Sequence, residues 1–106
     1  MNISISKTKL ENPEHGILRC GYGKLVNRRT RETSFARRLH GDMYPRFHVY
    51  VNERTEVWVF SLHLDQKQPT YEGVSAHAGE YEGATVEKEA MRIQNTLVRQ
   101  SPEGVE

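Results

Sequence analysis

The sequence predicts an α+β domain: a small antiparallel sheet of three to four strands with a C-terminal helix packed on one face. Three observations carry that expectation. Residues 46–51 and 56–64 alternate with the period of two that a pleated strand imposes, and a four-residue polar link separates them. Residues 85–99 repeat apolar side chains at helical spacing. The chain has 106 residues, 36% hydrophobic and 27% charged, enough for one core layer but with little room for a deep enclosed cavity.

Residues 1–14 are polar and lack a sustained period, so they read as an N-terminal segment ahead of a single domain over 15–100. Within them Lys9–Glu14 reads as a loop, because Pro13 interrupts regular structure. Gly16–Val26 is the first strand expected, with Leu18, Cys20 and Tyr22 alternating against Arg19, Gly21 and Gly23. Asn27–Thr33 is a basic connection, and Thr33–His40 a second strand with Phe35, Arg37 and Leu39 on one face and Ala36 and Arg38 on the other. Gly41-Asp42 marks a turn.

The next two strands form a hairpin. With Asn52–Thr55 as its loop, Val51 faces Glu56, Val49 faces Trp58 and Phe47 faces Phe60. These apolar residues, with Leu62, make a core face. The opposite face carries His48, Tyr50, Val57, Val59, Ser61 and His63 and is amphipathic. Residues 66–83 read as a long polar loop, of the kind that in compact domains is functional or disordered. The helix follows at Thr85–Arg99, with Thr85 as N-cap, Glu87 and Glu89 in its first turn, and the stripe Val86, Ala90, Ile93, Leu97. Residues 101–106 read as a frayed tail.

Composition excludes several function classes. One cysteine, Cys20, leaves no internal disulfide framework and no Cys-rich zinc site, and it reads as a buried structural thiol. No segment is long and apolar enough to span a membrane, and the first residues lack an apolar block followed by a cleavage site; cytoplasm is the expected compartment. The net charge of +1 is unevenly spread: residues 1–50 carry a balance of +6 and residues 51–106 a balance of −5. Such polarity steers an anionic ligand to one side or favours association between copies.

Two constellations carry chemistry. The first is His63, Asp65, His77 and Glu80. His63 and Asp65 leave the same strand face, and His–carboxylate sets suit zinc, manganese or iron, or a His base oriented by a carboxylate. His-x-Asp has no strong motif spacing, however, and a partly buried His with an Asp bonding loop amides is the plain alternative. In the expected register His48 faces Val59 across the hairpin, two residue pairs from His63 on the same face, which places it near this group but not beside His63. Ser61 shares a face with His63, but neighbours on one strand do not make a nucleophile–base pair.

The second constellation is basic: Lys24, Arg28, Arg29, Arg31, Arg37 and Arg38, opposed only by Glu32, with Tyr22 and Phe35 near in sequence as stacking surfaces. Arginine forks clamp phosphate, and aromatic faces receive bases of single-stranded nucleic acid. The plain alternative is a solvated hairpin pairing with the acidic half of the chain. Gly73, Gly79 and Gly83 read as ordinary turn glycines; Gly83, just before the helix, is the position best suited to meet an anion.

The expected function is therefore a binding module contacting phosphate, nucleic acid or an acidic protein through its basic 24–38 region, with Arg28, Arg29, Arg31, Arg37 and Arg38 as ligand contacts. The alternatives are a metal- or His-dependent small enzyme using His63, Asp65, His77 and Glu80, and a self-associating accessory protein such as a homodimer. No residue pattern specifies a cofactor.

Overall fold

The computed structural model describes residues 1–66 and 74–99, and for residues 74–82 and 99 the backbone alone. The elements run β1 (Asn2–Ser6), α1 (Pro13–Arg19), β2 (Gly23–Val26), β3 (Thr33–Arg38), β4 (Arg46–Glu53), β5 (Val57–Asp65) and α2 (Val74–Arg99). The five strands form one antiparallel sheet in the order β1-β5-β4-β3-β2. The α+β class is as expected, but the sheet has five strands rather than three to four.

The extra strand is β1, read from the sequence as polar segment. Ile3 and Ile5 alternate with Asn2, Ser4 and Ser6, too short a pattern to stand out alone. Pairing with β5 settles it: Ile3 faces Phe60 and Ile5 faces Trp58, and both isoleucines are buried. Leu62 N donates to Met1 O at 2.8 Å, and the Met1 amino group donates back to Leu62 O at 3.1 Å.

A second difference is α1, where a strand was expected from Gly16 onward. Asn12 caps the helix, its Oδ1 accepting from His15 N at 3.0 Å, and Pro13 and Glu14 occupy the first turn. The apparent alternation of Leu18, Cys20 and Tyr22 arises otherwise: Ile17 and Cys20, three apart, are buried, while Leu18 is exposed. Gly16 lets α1 approach α2 closely, since a Cβ there would lie 2.9 Å from Leu97 Cδ2 and 3.0 Å from Leu10 Cδ1. Gly21, at φ +97°, turns the chain out of α1 into β2.

The β4–β5 faces are as expected, but the register differs. Val49 faces Leu62, Phe47 faces Leu64 and Val51 faces Phe60. The strands run on to Glu53 and Val57, and Arg54 N donates to Val57 O at 2.9 Å across a tight turn. Pairing with β1 explains the extension: Ser6 faces Val57 and Lys7 N donates to Glu56 O at 3.0 Å, holding the start of β5 extended. The shift of four residues is even, so every side chain keeps its face.

The third difference lies in the segment 66–83. Residues 67–73 are outside the described residues, but 74–83 are helical, so α2 starts well before Thr85, and Gly79 and Gly83 lie inside it. Each helical glycine costs about 1 kcal/mol relative to alanine. Ala76, Ala78, Ala84 and the glutamates between them are strong helix formers that offset this. Gly83 therefore is not at a helix start. The tail at 101–106 lies outside the described residues.

One buried cluster joins Ile3 and Ile5 of β1, Ile17 of α1, Phe35 of β3, Phe47 and Val49 of β4, Phe60, Leu62 and Leu64 of β5, and Val86, Ala90, Ile93 and Leu97 of α2. Trp58 packs at its margin and donates its indole N–H to Leu10 O at 2.7 Å.

Candidate functional site on the outer sheet face

Strand alternation sends Ser34, Ala36 and Arg38 of β3, Arg46, His48 and Tyr50 of β4, and Ser61, His63 and Asp65 of β5 to the face opposite the buried cluster. The observed register sets His48 directly opposite His63 instead of opposite Val59. Beside them, Tyr50 stacks on His48 with ring centroids 4.8 Å apart and meets His63 edge-on at 6.1 Å.

The most specific geometry on this face is a three-strand hydrogen-bonded chain. Asp65 Oδ2 lies 2.8 Å from His48 Nδ1, and His48 Nε2 lies 2.8 Å from Ser34 Oγ. An ionised carboxylate only accepts, so Nδ1 carries the proton; in the neutral ring Nε2 is then the acceptor for the Ser34 hydroxyl. Arg46 Nε donates to the same Asp65 oxygen at 3.4 Å, with its guanidinium 4.8 Å from the Tyr44 ring. Ser34 is 7% exposed and sits at a cleft of about 300 Å³ lined by Leu25, Asn27, Glu32, Arg46, His48 and Tyr50.

Of the first constellation, the structure places His63 and Asp65 on this face, with His63 exposed and Asp65 bound to His48. His77 and Glu80 belong to α2 rather than to a loop, and their side chains are outside the description. Among the described residues, no three His, Cys, Asp or Glu side chains come together as a metal-binding group.

The arginines divide. The β2–β3 turn is built by Asn27, whose Oδ1 accepts from Arg29 N at 2.9 Å and Thr30 N at 3.0 Å, while Arg31 N donates to Asn27 O at 2.7 Å. Arg31 takes a left-handed φ of 68°, a strained setting for a side-chain-bearing residue. Arg28, Arg29 and Arg31 are exposed and have no ion-pair partner among the described residues. Lys24 pairs with Glu14 at 2.7 Å. Arg38 is exposed on the outer face, with Nη1 3.4 Å from Gly41 O. Arg37 points to the other face, 3.5 Å from Glu89.

That glutamate anchors a polar network at the margin of the buried cluster. Glu89 is 5% exposed and accepts from Tyr22 Oη at 2.6 Å, Arg92 Nε at 2.9 Å and Arg92 Nη2 at 2.8 Å; the same Nη2 lies 2.7 Å from Cys20 O. Burial pushes the Glu89 carboxyl up, but hydrogen bonds from Arg92 and Tyr22 and the charges of Arg92 and Arg37 outweigh it and hold it below its ordinary value. Burial, then the hydrogen bond to Glu89 and its charge, push the Tyr22 phenol well above its ordinary value. Burial likewise raises Cys20, which is 2% exposed. The network is a structural lock between α1, the sheet and α2.

Two features escaped the sequence. Ser34 sits in the basic stretch with no neighbouring motif, and its partners lie 14 and 31 positions away. The Tyr22–Glu89–Arg92 network had one readable part, the i, i+3 pair Glu89–Arg92 on a helix. No protein-family model matches the chain, and neither a curated protein nor a solved structure matches it.

Proposed function

We propose that the protein is a small binding module that takes single-stranded nucleic acid on its outer sheet face, away from the core that α2 covers. One observation carries this reading: the partly buried His48–Tyr50 stack lies on the outer strand face between cations. Arg38 and Arg46 share that face, and the turn bearing Arg28, Arg29 and Arg31 rises from the cleft edge at Asn27. Rings that accept bases and arginines that accept phosphates are the two parts such binding needs. An acidic protein partner would use the arginines but has no need of the rings, so the stack favours nucleic acid. Among the described residues, no helix is long and apolar enough to cross a membrane.

The test is fluorescence anisotropy with a labelled mixed-sequence single-stranded DNA over a salt series. Affinity should fall steeply with salt. Converting Arg28, Arg29 and Arg31 together to Gln should flatten the log–log slope by about 2, at roughly 0.7 per phosphate contact. Tyr50→Ala should weaken binding by about 1–3 kcal/mol at every salt concentration. Absence of salt-dependent binding, or binding indifferent to the three arginines, rejects the reading.

A further inference from the structure

We propose that Ser34 is an activated nucleophile that His48 deprotonates, able to take the acyl group of a short carboxylic ester held in the adjoining cleft. This goes beyond nucleic-acid binding and does not rest on it. The two 2.8 Å contacts, Asp65 Oδ2 to His48 Nδ1 and His48 Nε2 to Ser34 Oγ, put a nucleophile, a base and the group that orients the base in one line. Each member comes from a different strand, β3, β4 and β5, held by continuous ladder pairing. The ring has little freedom to turn: Tyr50 stacks on it, and both its nitrogens are engaged.

A simple polar strap across three strands needs no adjoining space. Here Ser34, His48, Arg46 and Tyr50 all line a cleft of about 300 Å³, within reach of a short acyl chain against Leu25 and Tyr50. As Ser34 Oγ bonds to the ester carbonyl carbon, its proton passes to His48 Nε2 and the carbonyl π pair moves onto oxygen, in a cleft that Arg46 also lines. Collapse breaks the bond to the alcohol, which leaves with the proton from Nε2. A water then gives a proton to the same nitrogen and attacks the acyl–serine, releasing the acid and restoring the hydroxyl. No oxidant or cofactor enters the balance. Asp65 is a positioning residue, holding the Nδ1 proton.

The experiment treats the full chain with a fluorophosphonate, which bonds to an activated serine with loss of fluoride, and maps the adduct by intact-mass and peptide mass spectrometry. The expected result is a single adduct on Ser34. Ser34→Ala should abolish it, and His48→Gln should slow it at least about a hundredfold. Asp65→Asn should slow it and Asp65→Glu restore part of the rate, a rescue that loss of strand bracing alone would not give. Ser61→Ala, whose hydroxyl bonds Asn2 Oδ1 instead, should label at the wild-type rate. An unlabelled wild-type chain overturns the proposal, and so does labelling of Ser34 that His48→Gln leaves unchanged. Should His48→Gln fail to fold, the wild-type chain decides: an adduct shared evenly among Ser4, Ser34 and Ser61 overturns it, whereas Ser34 reacting alone supports it. Nucleic-acid binding can succeed or fail in the anisotropy assay without changing these outcomes.

Discussion

Replacing Glu89 by Gln removes one negative charge from the lock between α2 and the rest of the fold while preserving shape. The native carboxylate accepts three hydrogen bonds, at 2.6, 2.8 and 2.9 Å, and faces a second guanidinium at 3.5 Å. An amide has one accepting oxygen, and its NH2 group must point at a donor, so at least one of the three bonds becomes a donor–donor clash. Hydrogen bonds to charged groups contribute about 1.5–3 kcal/mol each. Arg92 and Arg37 are 39% and 35% exposed and recover part of that from water, which lowers the expected loss. The net destabilisation should be about 2–3 kcal/mol, or roughly 10–20 °C in Tm for a domain of this size. Urea melts at pH 7 read it directly, as a lower midpoint with unchanged slope.

The same substitution makes a signed pH prediction. The folded-state pKa of Glu89 is depressed, so its stabilisation is present above the unfolded value near 4.5 and lost as pH falls through the folded one. The gap between wild type and Glu89→Gln should be full at pH 7 and shrink in acid. Melts of the two proteins that coincide within about 0.5 kcal/mol at pH 7 would refute the view that this carboxylate holds α2 in place.

Two further outcomes follow from the same packing. The Tyr22 phenol, with its folded pKa raised, contributes stability that is complete below the unfolded value of about 10 and is lost above it. Absorbance titration should therefore show a late tyrosine step that appears only as the protein unfolds, and Tyr22→Phe should remove it. Ile93→Ala, at a side chain with no exposure, should cost about 2–5 kcal/mol in urea melts, while Met91→Ala, 63% exposed on the same helix, should stay within about 0.5 kcal/mol; equal effects would contradict the burial of the α2 stripe.

Much of the fold is readable where a pattern is long and local. The alternation in β4 and β5 sorts Phe47, Val49, Phe60 and Leu62 from His48, Tyr50 and His63, and the stripe Val86, Ala90, Ile93, Leu97 marks a helix. The α1 helix had a usable signal that was outweighed: Asn12, Pro13 and Glu14 form a cap, a first-turn proline and a first-turn acid, but Leu18, Cys20 and Tyr22 mimic a strand. The start of α2 was hidden because Gly79 and Gly83 read as turn residues, although the alanines and glutamates around them favour helix.

The candidate site was legible only in part. His63 and Asp65 leave the outer face as their spacing requires, and the exposed arginines at 28, 29 and 31 follow from a polar turn between two strands. What the linear chain could not supply is which residues meet. Asp65 reaches His48 because the hairpin turns two residues later than at Asn52–Thr55, which moves the register by four residues, and β1, more than fifty residues upstream of its partner strand, holds that register. Arg37 meets Glu89 of the last helix, and Ser34 meets His48 of the neighbouring strand, contacts that no local pattern along the chain marks. Side-chain periodicity is a property of neighbours along the backbone, so it survives in sequence as face and element type. Contact between remote groups depends on strand order and register, which arise only when the whole set of ladders and the buried cluster form together.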